Sequence, residues 1–126
     1  MIVVDTHTFL WWSGAPELLS SPAHDALMTA DRIAISAVTA WEIGMLVAKR
    51  RLDLEADPLT WMIDTLDRTG IDVIPLSFEA AMHAAELQQL RDPADQQIVA
   101  TALELGAPLV TKDRRIRDAN VVTTIW

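Results

Sequence analysis

Short apolar runs, several ending in an acid or a hydroxyl and separated by helical segments, set the strongest limit on how this chain can fold. "IVVD" (2–5), "RIAIS" (32–36), "IDVIPL" (71–76), "PLVT" (108–111) and "VVTTIW" (121–126) are each too short for a helix and largely apolar at consecutive positions. Strands that bury both faces read this way, whereas a sheet with one wet face alternates apolar and polar residues. The segments between them carry helix signals. "THTFLWW" (6–12) looks helical, and "SSPAHDALM" (20–28) has Ser21 as its cap and Pro22 as first helical residue. "AVTAWEIGMLVAKRR" (37–51) is a helix whose basic end suits the helix dipole. "DPLTWMIDTL" (57–66) opens on Asp-Pro, "SFEAAMHAAELQQL" (77–90) is capped by Ser77, and "PADQQIVATALELG" (93–106) is closed by Gly106. This alternation predicts an α/β fold with a mostly parallel sheet covered by helices on both faces.

The 126 residues form one domain, 1–126, by the usual size prior, and no linker, repeat or low-complexity tract divides them. The 51% hydrophobic content is spread along the chain and predicts a sizeable core. The absence of cysteine removes disulfides and thiolate metal sites and suits a reducing cytoplasm. The N-terminus lacks a basic region and Asp5 breaks its apolar run, so no signal peptide is expected. No apolar stretch reaches the length of a membrane span. A net charge of −8 excludes broad non-specific nucleic-acid binding, yet permits a basic partner or a patch of carboxylates that holds cations.

Ligands of parallel sheets bind at the carboxyl ends of the strands. Asp5 ends the first strand, and Asp113 lies two residues beyond "LVT". "RDPADQQIVATAL" (91–103) begins the helix that precedes that later strand. In it Asp92 reads as N-cap before Pro93, and Asp95 falls at the third helical position, where a carboxylate also suits the dipole. Capping alone accounts for both aspartates locally. Glu42 is harder to dismiss, because it sits in an otherwise apolar helix with no basic residue one turn away. An unpaired buried group there costs several kcal/mol, of order 2–7 even when neutral. Gly44 weakens the same helix by about 1 kcal/mol relative to Ala, which points to close approach of another backbone or tight packing.

Four acids thus project toward one edge of the sheet from four separated places. Clustered carboxylates raise one another's pKa values unless a cation compensates. An all-oxygen set suits Mg²⁺ or Mn²⁺, and phosphoryl transfer is the chemistry such a site serves best. His7, His24 and His83 lack zinc-ligand spacing, and no serine–histidine arrangement competes. His24 and His83 read as helix-surface residues, while His7 adjoins the acids.

"MIVVDTHTFLWW", "ISAVTAWEIGML", "RDPADQQIVATAL" and "LVTKD" resemble, in order and spacing, the PIN-domain ribonucleases, and within them the VapC-type toxins of toxin–antitoxin pairs. The resemblance implies a small three-layer α/β/α sandwich and a Mg²⁺- or Mn²⁺-dependent endoribonuclease. A metal-activated water would leave a 5′-phosphate and a 3′-hydroxyl. Carried over residue by residue, the family's metal-binding and catalytic acids fall on Asp5, Glu42, Asp95 and Asp113. Hydroxyls near the metal site fall on Thr6 and Thr111. Asp95 is then the catalyst and Asp92 chiefly the cap. Many relatives have His-Arg-Asp-Pro-Phe-Asp-Arg where this chain keeps the two acids and the proline but has Leu90, Ala94 and Gln96 at the His, Phe and final Arg positions. Those losses bear on substrate contacts more than on metal binding. The resemblance also implies a homodimer and an antitoxin whose basic segment reaches the acidic pocket.

RNA must still approach an acidic protein. "KDRRIRD" places Lys112, Arg114, Arg115 and Arg117 beside Asp113, either as a solvated loop or as a rim that grips phosphates. "KRR" (49–51) reads chiefly as the charged end of its helix. Core packing is the default for the five tryptophans, but the adjacent Trp11 and Trp12 cannot both face inward, so one is expected at the surface. Two alternatives stand beside the nuclease. A Mg²⁺-binding receiver-like signalling domain shares the layout, but would want an acid pair where this chain has Asp-Thr-His. A non-catalytic binding module on the same scaffold would not need all four acids.

Overall fold

The apolar runs pair into a single sheet in the order β3-β2-β1-β4-β5, with every neighbouring pair parallel. A computed structural model describes residues 1–126. Along the chain come β1 (Ile2–Val4), α1 (Thr6–Gly14), a 3₁₀ turn (Pro16–Leu18), α2 (Ser21–Thr29), β2 (Ile33–Ser36), α3 (Ala37–Ala48) and α4 (Pro58–Thr69). They are followed by β3 (Asp72–Ile74), α5 (Phe78–Glu86), α6 (Pro93–Glu104), β4 (Leu109–Val110), α7 (Arg114–Ala119) and β5 (Thr124–Ile125).

The consecutive apolar residues of the strands face both ways, as expected for a sheet covered on two sides. On β1, Val3 joins a core with Ile98, Val99, Ala102 and Ile116 from α6 and α7. Its neighbours Ile2 and Val4 join the opposite core, with Phe9, Leu27, Ile43 and Met62 from α1, α2, α3 and α4. The result is the three-layer α/β/α sandwich, with a sheet that is wholly parallel. None of its helices is long and apolar enough to cross a membrane.

The strand order fixes where a site can form. The chain lays β2 and β3 on one side of β1 and then β4 and β5 on the other, so the connections that leave the carboxyl ends of the neighbouring strands β1 and β4 run in opposite directions. That divergence opens a crevice where open α/β sheets bind ligands. Register places Val4 opposite Val110, which brings the residues just after β1 and β4 to the same level.

Several boundaries differ from the sequence reading for identifiable reasons. Ser20, not Ser21, caps α2, accepting from the Ala23 amide at 3.2 Å. Two adjacent serines leave that register open in sequence. The helix read over 37–51 ends at Ala48, because Arg50 adopts a left-handed conformation with φ 56°. Of "KRR" only Lys49 is a helix end residue, as the C-cap. The helix read to Leu90 ends at Glu86, and Leu90 is buried in the core instead. "KDRRIRD" is not a loop throughout, since Arg114–Ala119 is helical and Ile116 anchors it in the core. Trp11 and Trp12 are both half-buried, Trp11 against Trp126 and Trp12 against His24. The tryptophan at the surface is Trp41, which is 57% exposed, and none of the five is fully buried. At Gly44 a Cβ would meet nothing within 4 Å, so neither backbone approach nor packing demands glycine.

That last observation and the burial of the adjoining residue give opposite expectations. Ile43 is fully buried and fixes α3 to the sheet, so Ile43→Ala should cost roughly 2–5 kcal/mol. Gly44→Ala should stabilise by about 0.5–1 kcal/mol, through a less flexible unfolded chain. Denaturant unfolding midpoints of the two variants, compared at constant slope, check both signs.

Candidate active site

Asp5, the first residue beyond β1, is 8% exposed and is held by two donors. It caps α1, accepting from the Thr8 amide at 2.8 Å, and it accepts from the Thr111 hydroxyl at 2.5 Å. Thr111 follows β4, and its own oxygen accepts from the Asp113 amide at 3.0 Å. Asp113 in turn caps α7, accepting from the Arg115 amide at 2.8 Å. Asp92 caps α6, accepting from the amides of Ala94 (2.8 Å) and Asp95 (3.1 Å). Three of the acids at this edge are therefore helix caps, placed by the local chemistry that starts each helix.

Glu42 reaches the same place from the middle of α3. It accepts from the Thr6 hydroxyl at 2.5 Å, and Thr6 lies 3.3 Å from the Thr39 hydroxyl. The partner missing from its own helix is thus supplied by α1. Asp5, Thr6, Glu42, Asp92, Asp95, Lys112, Asp113 and Arg115 all line one cavity of about 300 Å³, with His7 and Trp11 completing its wall.

Electrostatics differ sharply among these groups. Burial pushes the Glu42 carboxyl above the usual range; the Thr6 hydrogen bond opposes the shift, and the charges of Asp92 and Asp5 add to it. Asp95 is raised furthest, to about 7, by burial first and then by the charges of Asp92, Asp113 and Glu42. No donor reaches its carboxylate, and its nearest cation is Arg115, with Nη2 at 4.0 Å. Asp113 is held low by the Arg115 side chain, which donates from Nη2 at 2.7 Å and from Nε at 3.2 Å. Half-buried acids without a matching cation are the pattern that functional sites show.

The family model of the PIN domain matches residues 2–122. The chain belongs to the PIN-domain family. It is 36% identical over 116 residues to Ribonuclease VapC22 of Mycobacterium tuberculosis, covering 92% of this chain and 89% of that protein. Among solved structures it resembles VapBC2 of Rickettsia felis bound to a promoter DNA fragment, with a TM-score of 0.71 and 18% identity over 98% of this chain and 97% of that one. FitAcB of Neisseria gonorrhoeae matches with a TM-score of 0.67 and 20% identity over 98% and 96% of the two chains. A toxin–antitoxin complex of Klebsiella pneumoniae matches with a TM-score of 0.67 and 22% identity over 100% and 97%.

PIN membership removes the receiver-like alternative and gives the positions of the expected residues a frame. All four expected acids and Thr6 line the cavity, whereas Thr111 lies behind it and ties Asp5 to Asp113. Of the four basic residues after β4, Lys112 and Arg115 line the cavity, and Arg114 and Arg117 do not. Arg114 and Arg117 are exposed on α7, whose helical turn separates them from Arg115. Asp92 is more than a cap, since it lines the cavity and raises Asp95. The departures from the common PIN pattern fall outside the cavity. Leu90 and Ala94 are core residues, and the Gln96 side chain donates to the carbonyls of Leu87 (3.1 Å) and Leu90 (2.6 Å), fixing the turn into α6.

The Asp95 shift has a signed consequence for stability. In metal-free protein Asp95 keeps its proton up to about pH 7, while the unfolded chain releases it near 3.8. Between those values the folded state binds the extra proton, so this contribution to stability is complete below the unfolded pKa and is lost as pH rises through 7. With EDTA present, Asp95→Asn should therefore melt above the parent at pH 8, and the gap should close toward pH 5. Asp92→Ala should cost about 0.5–2 kcal/mol as a lost cap. Asp92→Asn keeps the cap and should lower the Asp95 pKa, read by carboxyl ¹³C NMR titration.

Proposed function

We propose that this chain is the toxin of a toxin–antitoxin pair and acts as a metal-dependent endoribonuclease. The observation that carries the reading is the convergence of Asp5, Glu42, Asp92, Asp95 and Asp113 on one cavity at the sheet's switch point, with Lys112 and Arg115 in its wall. The 36% identity to a ribonuclease, and structural neighbours that are toxin–antitoxin complexes, support it.

The donor set fits a hard divalent ion. Five carboxylates dominate the cavity wall, and their negative charge exceeds the positive charge of Lys112 and Arg115. No three of these side chains stand together as a ready set of ligands, and Asp5, Glu42 and Asp113 each also accept from a donor of the protein. Asp5, Glu42, Asp95 and Asp113 would hold Mg²⁺ or Mn²⁺, which when bound activates water and neutralises the phosphate. Thr6 and Thr111 keep Glu42 and Asp5 aimed at the cavity. Lys112 and Arg115 grip the phosphate oxygens, as positioning contacts that carry no sequence information. Water adds to phosphorus, the bond from phosphorus to the 3′ oxygen breaks, and the products are a 5′-phosphate and a 3′-hydroxyl.

The partners follow from charge and exposure. A cavity with five carboxylates suits a basic antitoxin segment. The exposed apolar residues Leu59 and Ile63 of α4 and Phe78 and Met82 of α5 flank the edge strand β3 and support a homodimer across that edge. A chain without cysteine suits the cytoplasm, where we place the reaction. If the edge is the dimer contact, Phe78→Lys combined with Met82→Lys should sediment as a monomer while the parent does not.

Mn²⁺ should raise the melting temperature of the parent, since a ligand of the native state alone stabilises it. The Asp5→Asn, Asp95→Asn double variant should lose that response. On a mixed RNA pool with Mn²⁺, Asp95→Asn and Asp95→Glu should fold but cleave slower by orders of magnitude, because charge and near-octahedral placement are both needed. New 5′-phosphate ends mapped by sequencing would identify the target. A parent that binds Mn²⁺ but leaves the pool intact would make this a binding module instead.

A further inference from the structure

Arg115 folds back on the acid that caps its own helix. Its amide and Nε donate to Asp113 Oδ1 at 2.8 and 3.2 Å, and Nη2 donates to Oδ2 at 2.7 Å. The same Nη2 stands 4.0 Å from Asp95 Oδ2, so one guanidinium spans two of the acids that line the cavity. Of Lys112, Arg114, Arg115 and Arg117, only Arg115 forms an ion pair with them. Both oxygens of Asp113 are occupied by this fork, and a planar guanidinium cannot replace the octahedral oxygen shell of a small divalent ion.

We infer that Arg115 is the resident counter-ion of the acid cluster and competes with a divalent ion for Asp113 and Asp95, so that its release sets the apparent affinity of the ion. The inference rests on the reading that these acids hold a divalent ion. Its physical basis is exclusion: the ion needs Asp113 oxygens that the fork covers. The side chain is 75% exposed, so the pair is weak and its release is within reach of an incoming divalent charge. Once free, the guanidinium stays beside Lys112 in the same wall, with its donors available to a phosphodiester. Entry of the ion and exposure of a phosphate contact are then one event.

The test titrates Mn²⁺ alone into metal-free protein and reads free Mn²⁺ by electron paramagnetic resonance, with no RNA present. Arg115→Gln should bind Mn²⁺ at least about threefold tighter than the parent, the scale of one exposed ion pair. Arg115→Met, which keeps the aliphatic stem, should do the same, so a misfolded variant can be recognised by its melting in EDTA. Arg114→Gln removes the same charge one residue away without touching the acids, and should change the affinity less than about twofold. Equal or weaker binding by both Arg115 variants overturns the inference while leaving the metal site intact. So does an equal gain in Arg114→Gln, which would make the effect one of net charge. If neither the parent nor any variant binds Mn²⁺ at millimolar concentration, the metal reading itself fails, and the competition with it.

Discussion

A carboxylate buried at the end of the central strand has to be hydrogen-bonded, and the way Asp5 meets that requirement organises the site. Its two donors come from the first turn of α1 and from the residue after β4, and the Thr8 hydroxyl of the same turn donates to the Val110 carbonyl of β4 at 3.1 Å. Thr111 passes the constraint on, since the hydroxyl that donates to Asp5 accepts from the amide of Asp113. The carboxyl ends of β1 and β4 are therefore locked at one level by the same atoms that orient two of the site's acids. Loss of any link would leave a buried polar group without a partner, which costs more than the bond contributes.

The remaining acids are held differently. Glu42 and Asp95 sit on long helices, α3 and α6, whose neighbouring residues Ile43, Ile98 and Val99 are fully buried. Rigid packing on the inner faces keeps two partly desolvated carboxyls close to like charges, although both are pushed above their ordinary range. Core packing offsets the cost of a repulsive edge. Such local conflict with stability is characteristic of places where a sequence serves chemistry as well as folding. Arg115 relieves part of it from the surface, by charge rather than by packing.

The fold was legible because its signals are local and repeated. Apolar runs such as "IVV" and "IAIS" need burial on both faces, and Asp57, Ser77 and Asp92 announce their helices by cap chemistry. The errors lie where two local signals compete or none exists. Adjacent serines hid the register of the α2 cap, and a left-handed Arg50 ended α3 with no glycine to mark it. The helix α7 is only six residues long and four of them are charged, so its one core residue, Ile116, gives no periodicity to read. The exposed tryptophan is Trp41 rather than one of the adjacent pair, because an apolar segment does not say which of its faces is covered.

The sequence by itself determined the order of elements, the apolar faces and the chemical type of each acid, since propensity, capping and apolar content act over a few residues. It also held the ordered motifs that mark a PIN domain. Only the tertiary structure decided which donors each acid would meet. Thr6 reaches Glu42 across 36 positions and Thr111 reaches Asp5 across 106, and no local rule relates residues so far apart. Likewise the dual place of Asp92, as helix cap and cavity wall, and the split of Arg115 from Arg114 depend on how α6 and α7 meet at the end of the sheet. Hydrogen bonds and ion pairs are directional and short-ranged, so their partners are chosen by packing that the chain reaches only once it has folded.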